Sequence, residues 1–80
     1  MNPAIVNYID YNSILVINPT GQMRQLFTPF KVQVIHETSI LICGTCVWVE
    51  EIKPHHELKL IYRIGNNWWP YNSFRLTVLF

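Results

Sequence analysis

The sequence has little charge and few of the residues from which catalytic sites are built. Asp, Glu, Lys and Arg make up only 14% of its 80 residues, against about 25% in typical soluble domains. It contains a single aspartate, Asp10, and three glycines. No set of acid, base and nucleophile with a defined geometry and no glycine-rich phosphate loop can be assembled from these residues. We therefore expect a protein that is not an enzyme and that uses no cofactor.

Other features are also missing. The net charge is +1 and the six basic residues are scattered, which is a weak electrostatic footprint for nucleic acid. No apolar stretch approaches the ~18 residues that span a bilayer, and the start of the chain lacks a basic region followed by an apolar one. Two cysteines are too few for a disulfide-rich secreted scaffold. We therefore expect a cytoplasmic protein without a membrane partner.

Apolar residues, in contrast, make up 50% of the chain. A chain of this length is expected to form one domain, residues 1–80, near the lower size limit for a core that needs no metal or disulfide. Such a core cannot hold every Ile, Leu and Val, so apolar surface must be covered in another way. We expect a protein partner or self-association into a homo-oligomer.

The residue types and the prolines predict an all-β fold. Val, Ile, Thr, Tyr, Phe and Trp dominate, and five prolines leave little room for a long helix. Residues 22–27 fit either a helical turn or an edge strand, and Gly44 marks either a bulge or a tight turn. Five to seven short antiparallel strands fit a small closed or partly open barrel. The segments expected as strands are 4–10, 13–17, 30–34, 40–43, 47–52, 58–64 and 74–80, with a polar loop at 53–57 and a tight turn at 65–67.

Cys43-Gly44-Thr45-Cys46 has the spacing of a redox or metal motif. A redox site needs its first cysteine at a helix N-terminus, whereas Cys46 leads directly into strand-forming residues. Zinc would need histidine ligands as well, and the gap from Cys46 to the next histidines fits no usual zinc-finger spacing. We interpret the two cysteines as small buried hydrophobes and the histidine pair as part of a solvated loop. The ligands that a zinc site would draw on are Cys43, Cys46, His55 and His56, with His36 as a further histidine.

Two adjacent tryptophans follow the tight turn at 65–67. Because neighbouring side chains on a strand point to opposite faces, one of Trp68 and Trp69 can fill the core while the other meets solvent or a partner. Alternation also places Trp48 on the less apolar face of its strand, whereas Tyr62 and Phe74 are expected in the core. We therefore predict that a partner is bound through the aromatic residues Trp48, Trp68, Trp69 and Tyr71.

Trp69-Pro70-Tyr71-Asn72-Ser73-Phe74 resembles the stretch of SH3 domains in which a proline, an asparagine and a closing apolar residue follow the third barrel strand. The resemblance is confined to residues 68–74. It implies a small SH3-like barrel with Trp68, Pro70 and Tyr71 near the ligand groove. Ser73 stands where SH3 domains carry a groove tyrosine, and their acidic peptide-reading loop has no counterpart. The resemblance therefore implies the barrel and not the ligand.

Three functions remain open at this point. The first is a small, non-enzymatic interaction module that binds a protein partner or self-associates through an aromatic surface. The second is a nucleic-acid-binding β-barrel in which Lys59, Arg63 and Arg75 contact phosphates while tryptophans stack on bases. The third is a zinc-stapled domain. A steep fall of affinity with salt would identify the second, and a loss of stability on chelation the third.

Overall fold

The structure is a computed structural model, and it describes residues 5–77. Nine short strands and one 3₁₀ turn, Tyr71–Ser73, account for the regular structure of this part of the chain. The all-β prediction is confirmed, but the number of strands is larger than the expected five to seven. The strands are β1 (Ile5–Asp10), β2 (Ser13–Ile17), β3 (Met23–Phe27), β4 (Phe30–Val34), β5 (Cys46–Val49), β6 (Glu51–His55), β7 (Lys59–Ile64), β8 (Asn67–Pro70) and β9 (Phe74–Leu76).

The described strands pair into three antiparallel sheets of three strands each, with the orders β1-β2-β3, β5-β4-β9 and β6-β7-β8. None of these sheets closes on itself as a barrel. One hydrophobic core lies between them and takes side chains from every sheet. The buried apolar residues of this core are Ile14, Val16, Phe30, Val32, Val34, Val49, Ile52, Leu60, Tyr62, Phe74 and Leu76. Residues 5–77 include no helix with the length and apolar character needed to cross a membrane.

The alternation predicted for residues 30–34 is present in β4. Phe30, Val32 and Val34 are buried, whereas Lys31 is exposed on the other face. Of residues 22–27, which the sequence left open between a helical turn and a strand, residues 23–27 form the edge strand β3. At the two ends of the chain, the predicted strands 4–10 and 74–80 appear as β1 and β9, while residues 4 and 78–80 lie outside the described residues.

The strand expected at 40–43 is wrong. Residues 35–45 form a loop without a strand, and Ile40 and Ile42 are 62% and 67% exposed. The Thr38 hydroxyl accepts hydrogen bonds from the backbone amides of Ile40 and Leu41 at 3.3 and 3.0 Å. Such a local side-chain acceptor offers the backbone an alternative to strand pairing. High strand propensity therefore does not produce a strand here.

The polar loop expected at 53–57 is also wrong, because β6 continues to His55. Pro54 is tolerated since β6 is an edge strand of its sheet. The reversal then falls at 56–58, which leaves Leu58 42% exposed and outside the buried set formed by Leu60 and Tyr62. Lys59 has a positive φ of 68°, and the Leu60 amide donates to the Leu58 carbonyl at 2.9 Å. A three-residue γ-turn thus begins β7.

Candidate binding surfaces

Trp48 is the most exposed of the predicted partner-binding aromatics. It lies on the outer face of the β5-β4-β9 sheet, directly across from Lys31, and is 56% exposed. Its neighbour Val49 points inward and is fully buried. Alternation along β5 therefore places Trp48 away from the core, as the sequence predicts.

Trp68 lies on the outer face of a different sheet, β6-β7-β8. It is paired across the sheet with Arg63, and the Lys53 ammonium lies 4.9 Å from the centre of its ring. The side chain is half-buried. Because a cation over a ring face is itself a favourable contact, Trp68 already has a partner within its own sheet.

Trp69 and Tyr71 pack against the core. Trp69 is paired with the buried Tyr62, and the Tyr71 ring lies 6.5 Å from the Tyr62 ring in an edge-on arrangement. Both side chains are half-buried, and within the described residues the buried Trp69 Nε1 has no hydrogen-bond acceptor. Trp68 and Trp69 thus occupy opposite faces of β8. The four predicted aromatics are therefore not brought together into one surface.

The three cations of the predicted nucleic-acid site are likewise separated. The Arg63 guanidinium lies 3.2 Å from the Glu51 carboxylate and 3.6 Å from that of Glu50. Lys59 shares β7 with Arg63, but Arg75 lies on β9 in another sheet. A guanidinium held by two carboxylates is a poor phosphate ligand, since the phosphate must displace them. These ion pairs join Arg63 to carboxylates that precede it by 12 and 13 positions in the sequence. The scattered charges in the sequence do not predict them.

Cys43 and Cys46 are free thiols, and both are exposed. Their interpretation as buried hydrophobes is wrong, because the loop 35–45 and the outer face of β5 carry them to the surface. The His55 and His56 rings stack at 4.8 Å, and His55 Nδ1 accepts hydrogen bonds from two backbone amides of the 56–58 turn. Within residues 5–77, no three His, Cys, Asp or Glu side chains are grouped so as to hold a metal ion. The predicted zinc ligands, with His36, do not form such a group.

The outer face of the β1-β2-β3 sheet is a further candidate surface, and it was not predicted from the sequence. Its central strand β2 is apolar on both sides. Ile14 and Val16 point into the core and are fully buried, whereas Leu15 and Ile17 point outward and are half-buried. On the neighbouring β3, Met23 and Phe27 are 67% and 60% exposed. We call this surface the N-terminal face; it consists of Asn7, Leu15, Ile17, Met23, Gln25 and Phe27.

The sequence does contain a signal for the N-terminal face. Residues 14–17, Ile-Leu-Val-Ile, are an uninterrupted apolar run, which is typical of a strand that is covered on both sides. Among residues 5–77, only the side of Ile14 and Val16 is fully covered, whereas Leu15 and Ile17 on the other side are half-buried.

Comparison of the chain with family models, with curated proteins and with solved structures found no match. The resemblance of residues 68–74 to SH3 domains is therefore not confirmed by a related protein.

Proposed function

We propose that this protein is a non-enzymatic interaction module that binds a protein through the N-terminal face, and that the bound protein is a second copy of the same chain. One observation carries the proposal. The central strand β2 is apolar on both sides, but its outer residues Leu15 and Ile17 are flanked by the exposed Met23 and Phe27. An apolar sheet face of this kind is stable in water when another surface covers it.

The low charge of this face favours a second copy. The one charged side chain in the described rows that contain these six residues is Asp10, which shares a row with Phe27 at the end of β1. Its carboxylate accepts hydrogen bonds from the Ser13 hydroxyl and the Asn12 amide at 2.9 and 3.1 Å. A two-fold symmetric contact presents the same patch from both subunits. A face with charges would therefore place like charges near each other, whereas the rows of Leu15 and Ile17 carry none.

We further propose that residues 30–76 form an SH3-like unit that holds the N-terminal sheet. The connectivity supports this reading. β4 pairs with β5 on one side and with the last strand β9 on the other. β5 continues beyond Glu50 into β6, which starts the second sheet, and the 3₁₀ turn Tyr71–Ser73 lies between β8 and β9. The loop 35–45 separates β4 from β5, which nevertheless pair as neighbours in one sheet.

A charge placed in the N-terminal face tests the proposed contact. Met23→Lys puts an ammonium among apolar side chains, so dimerisation should be lost because a buried unpaired charge is costly. Ile42→Lys is the matched control, since Ile42 has the same 67% exposure as Met23 but lies in the loop 35–45. Sedimentation velocity should show a dimer for the natural chain and for Ile42→Lys, and a monomer for Met23→Lys.

Circular dichroism of each variant should show an unchanged strand spectrum, because both positions are exposed. If Met23→Lys sediments as the same dimer as the natural chain, the contact lies elsewhere. If the natural chain is a monomer, the partner is not a second copy.

A further inference from the structure

The outer face of the β5-β4-β9 sheet differs in character from the N-terminal face. The pairing of the three strands places its outward side chains in two rows. Trp48 and Lys31 form one row, to which the Thr77 hydroxyl is joined by a 3.0 Å hydrogen bond to the Lys31 carbonyl. We call this surface the Trp48 face; its residues are Trp48, Lys31 and Thr77 in the first row, and Cys46, Gln33 and Arg75 in the second.

The charges on the Trp48 face have one sign. Lys31 and Arg75 are both exposed, and neither forms an ion pair with another residue in the range 5–77. Three of the five acidic residues contact other groups: Glu50 and Glu51 hold Arg63, and Glu57 contacts His56. Glu37 is exposed in the loop 35–45, outside the two rows of this face. A chain of net charge +1 thus has a locally cationic face, which the net charge conceals.

A depression of about 470 Å³ adjoins the second row of this face. Gln33 and Arg75 contribute polar groups from the sheet, and His36 and Cys43 contribute from the loop 35–45. The Gln33 amide donates to the Gly44 carbonyl at 3.2 Å, which ties the loop to the sheet. The depression thus places a cation beside hydrogen-bonding groups, one row away from Trp48.

We infer that the Trp48 face binds single-stranded nucleic acid. The exposed Trp48 ring provides a stacking surface for an unpaired base, because every base has a π-face. Both cations lie on the same side of Trp48, with Lys31 on the adjacent strand and Arg75 one strand farther. They contact successive phosphates on that side of the stacked base, and the depression beside Arg75 takes a neighbouring nucleotide. Two strand spacings and one row separate Trp48 from Arg75, roughly 12 Å in all, so the site spans a few nucleotides. This inference is independent of the proposed dimer, which uses a different sheet.

Single strands fit this face better than a duplex. The bases of a duplex are stacked on each other and hide their faces, whereas a sheet reads bases that are splayed out onto aromatic side chains. Duplex recognition in the major groove uses an α-helix, which the described residues lack, or a two-stranded ribbon, which is narrower than this three-stranded sheet. Lys31, Trp48 and Arg75 project from three paired strands, as in a flat platform.

The test measures binding of a fluorescein-labelled oligothymidylate of about twelve nucleotides. Fluorescence anisotropy at several salt concentrations gives the affinity. Neutralisation of two phosphates on a single strand predicts a slope of log K against log salt of about −1.4, so affinity should fall about sevenfold between 50 and 200 mM salt. Arg75→Gln should reduce the slope to about −0.7. Trp48→Ala should weaken binding at least about fivefold.

Matched controls separate this face from the rest of the protein. Trp68→Ala removes a tryptophan from another sheet, and Arg24→Gln removes an exposed arginine from β3. Neither substitution should change the affinity for the oligonucleotide by more than about twofold, since surface changes away from a site have small effects. Trp48→Ala should leave the sedimentation of the protein unchanged. Absence of binding, binding without salt dependence, or equal losses in Trp48→Ala and Trp68→Ala would each overturn the inference.

Discussion

Leu58 and Leu60 provide a matched pair for testing the placement of the core. The two leucines are two residues apart and share a face in the sequence pattern, but the structure buries Leu60 to 4% exposure and leaves Leu58 42% exposed. Leu60→Ala removes about three buried carbon groups, worth about 2.4 kcal/mol of transfer free energy, and leaves a cavity. We expect a total loss of about 2 to 4 kcal/mol in the free energy of unfolding. Leu58→Ala should cost less than about 0.5 kcal/mol.

Urea denaturation followed by circular dichroism measures both values. For a domain of this size the loss in Leu60→Ala corresponds to a fall in Tm of at least about 8 °C. The dependence of the unfolding free energy on urea should stay the same in both variants, because neither changes the compactness of the folded state. Equal losses in the two variants would refute the placement of the turn at 56–58, and with it the register of β6 against β7.

Further predictions concern single residues. Burial raises the pKa of Tyr62 well above its ordinary value of 10.0. Above about pH 10 the folded state therefore keeps the phenol proton that the unfolded state loses, so the free energy of unfolding should be constant below that pH and fall above it. Tyr62→Phe should flatten this fall in a series of denaturation measurements at alkaline pH. Gly65, with φ 64°, opens the two-residue turn between β7 and β8, so Gly65→Ala should lower the unfolding free energy by about 1 to 2 kcal/mol; an unchanged value would mean that the turn is built differently. Cys43 and Cys46 should both react with a thiol reagent in the native protein, since both are exposed, and a chelator should leave Tm unchanged; a lower Tm on chelation would restore the zinc hypothesis.

The sequence predicted those elements whose pattern is set locally. Alternation in 30–34 identified β4 and its buried face, and Gly65 marked the turn that precedes β8. These features depend on side-chain period and on backbone φ, both of which can be read from neighbouring residues. Trp48 was placed on the outer face for the same reason.

The features that were missed depend on distant parts of the chain. Ile40 and Ile42 have strand propensity, but a strand also requires a partner, and none is available to them within the described residues. Pro54 was assigned to a loop because a proline is tolerated in a strand only at the edge of a sheet. That β6 is an edge strand depends on the order of the strands, which the local sequence does not show. The contact of Arg63 with Glu50 and Glu51 follows from the pairing of β6 with β7. The alternation of apolar and polar residues along the sequence does not predict any of these three features.

The candidate surfaces show the same division. The individual aromatic residues could be assigned to strands from the sequence, but their distribution over different sheets could not, because it depends on how the sheets are ordered. The N-terminal face could have been found from the apolar run 14–17. Such a run indicates that both sides of a strand are covered, and it leaves open whether the cover comes from the same chain.

The solution mass of the natural chain, measured by light scattering over a range of protein concentrations, tests the proposed function most directly. The N-terminal face predicts a mass that approaches twice the 9.5 kDa of the chain as concentration rises. A mass that stays at the monomer value at every concentration would contradict the proposal that a second copy covers Leu15, Ile17, Met23 and Phe27.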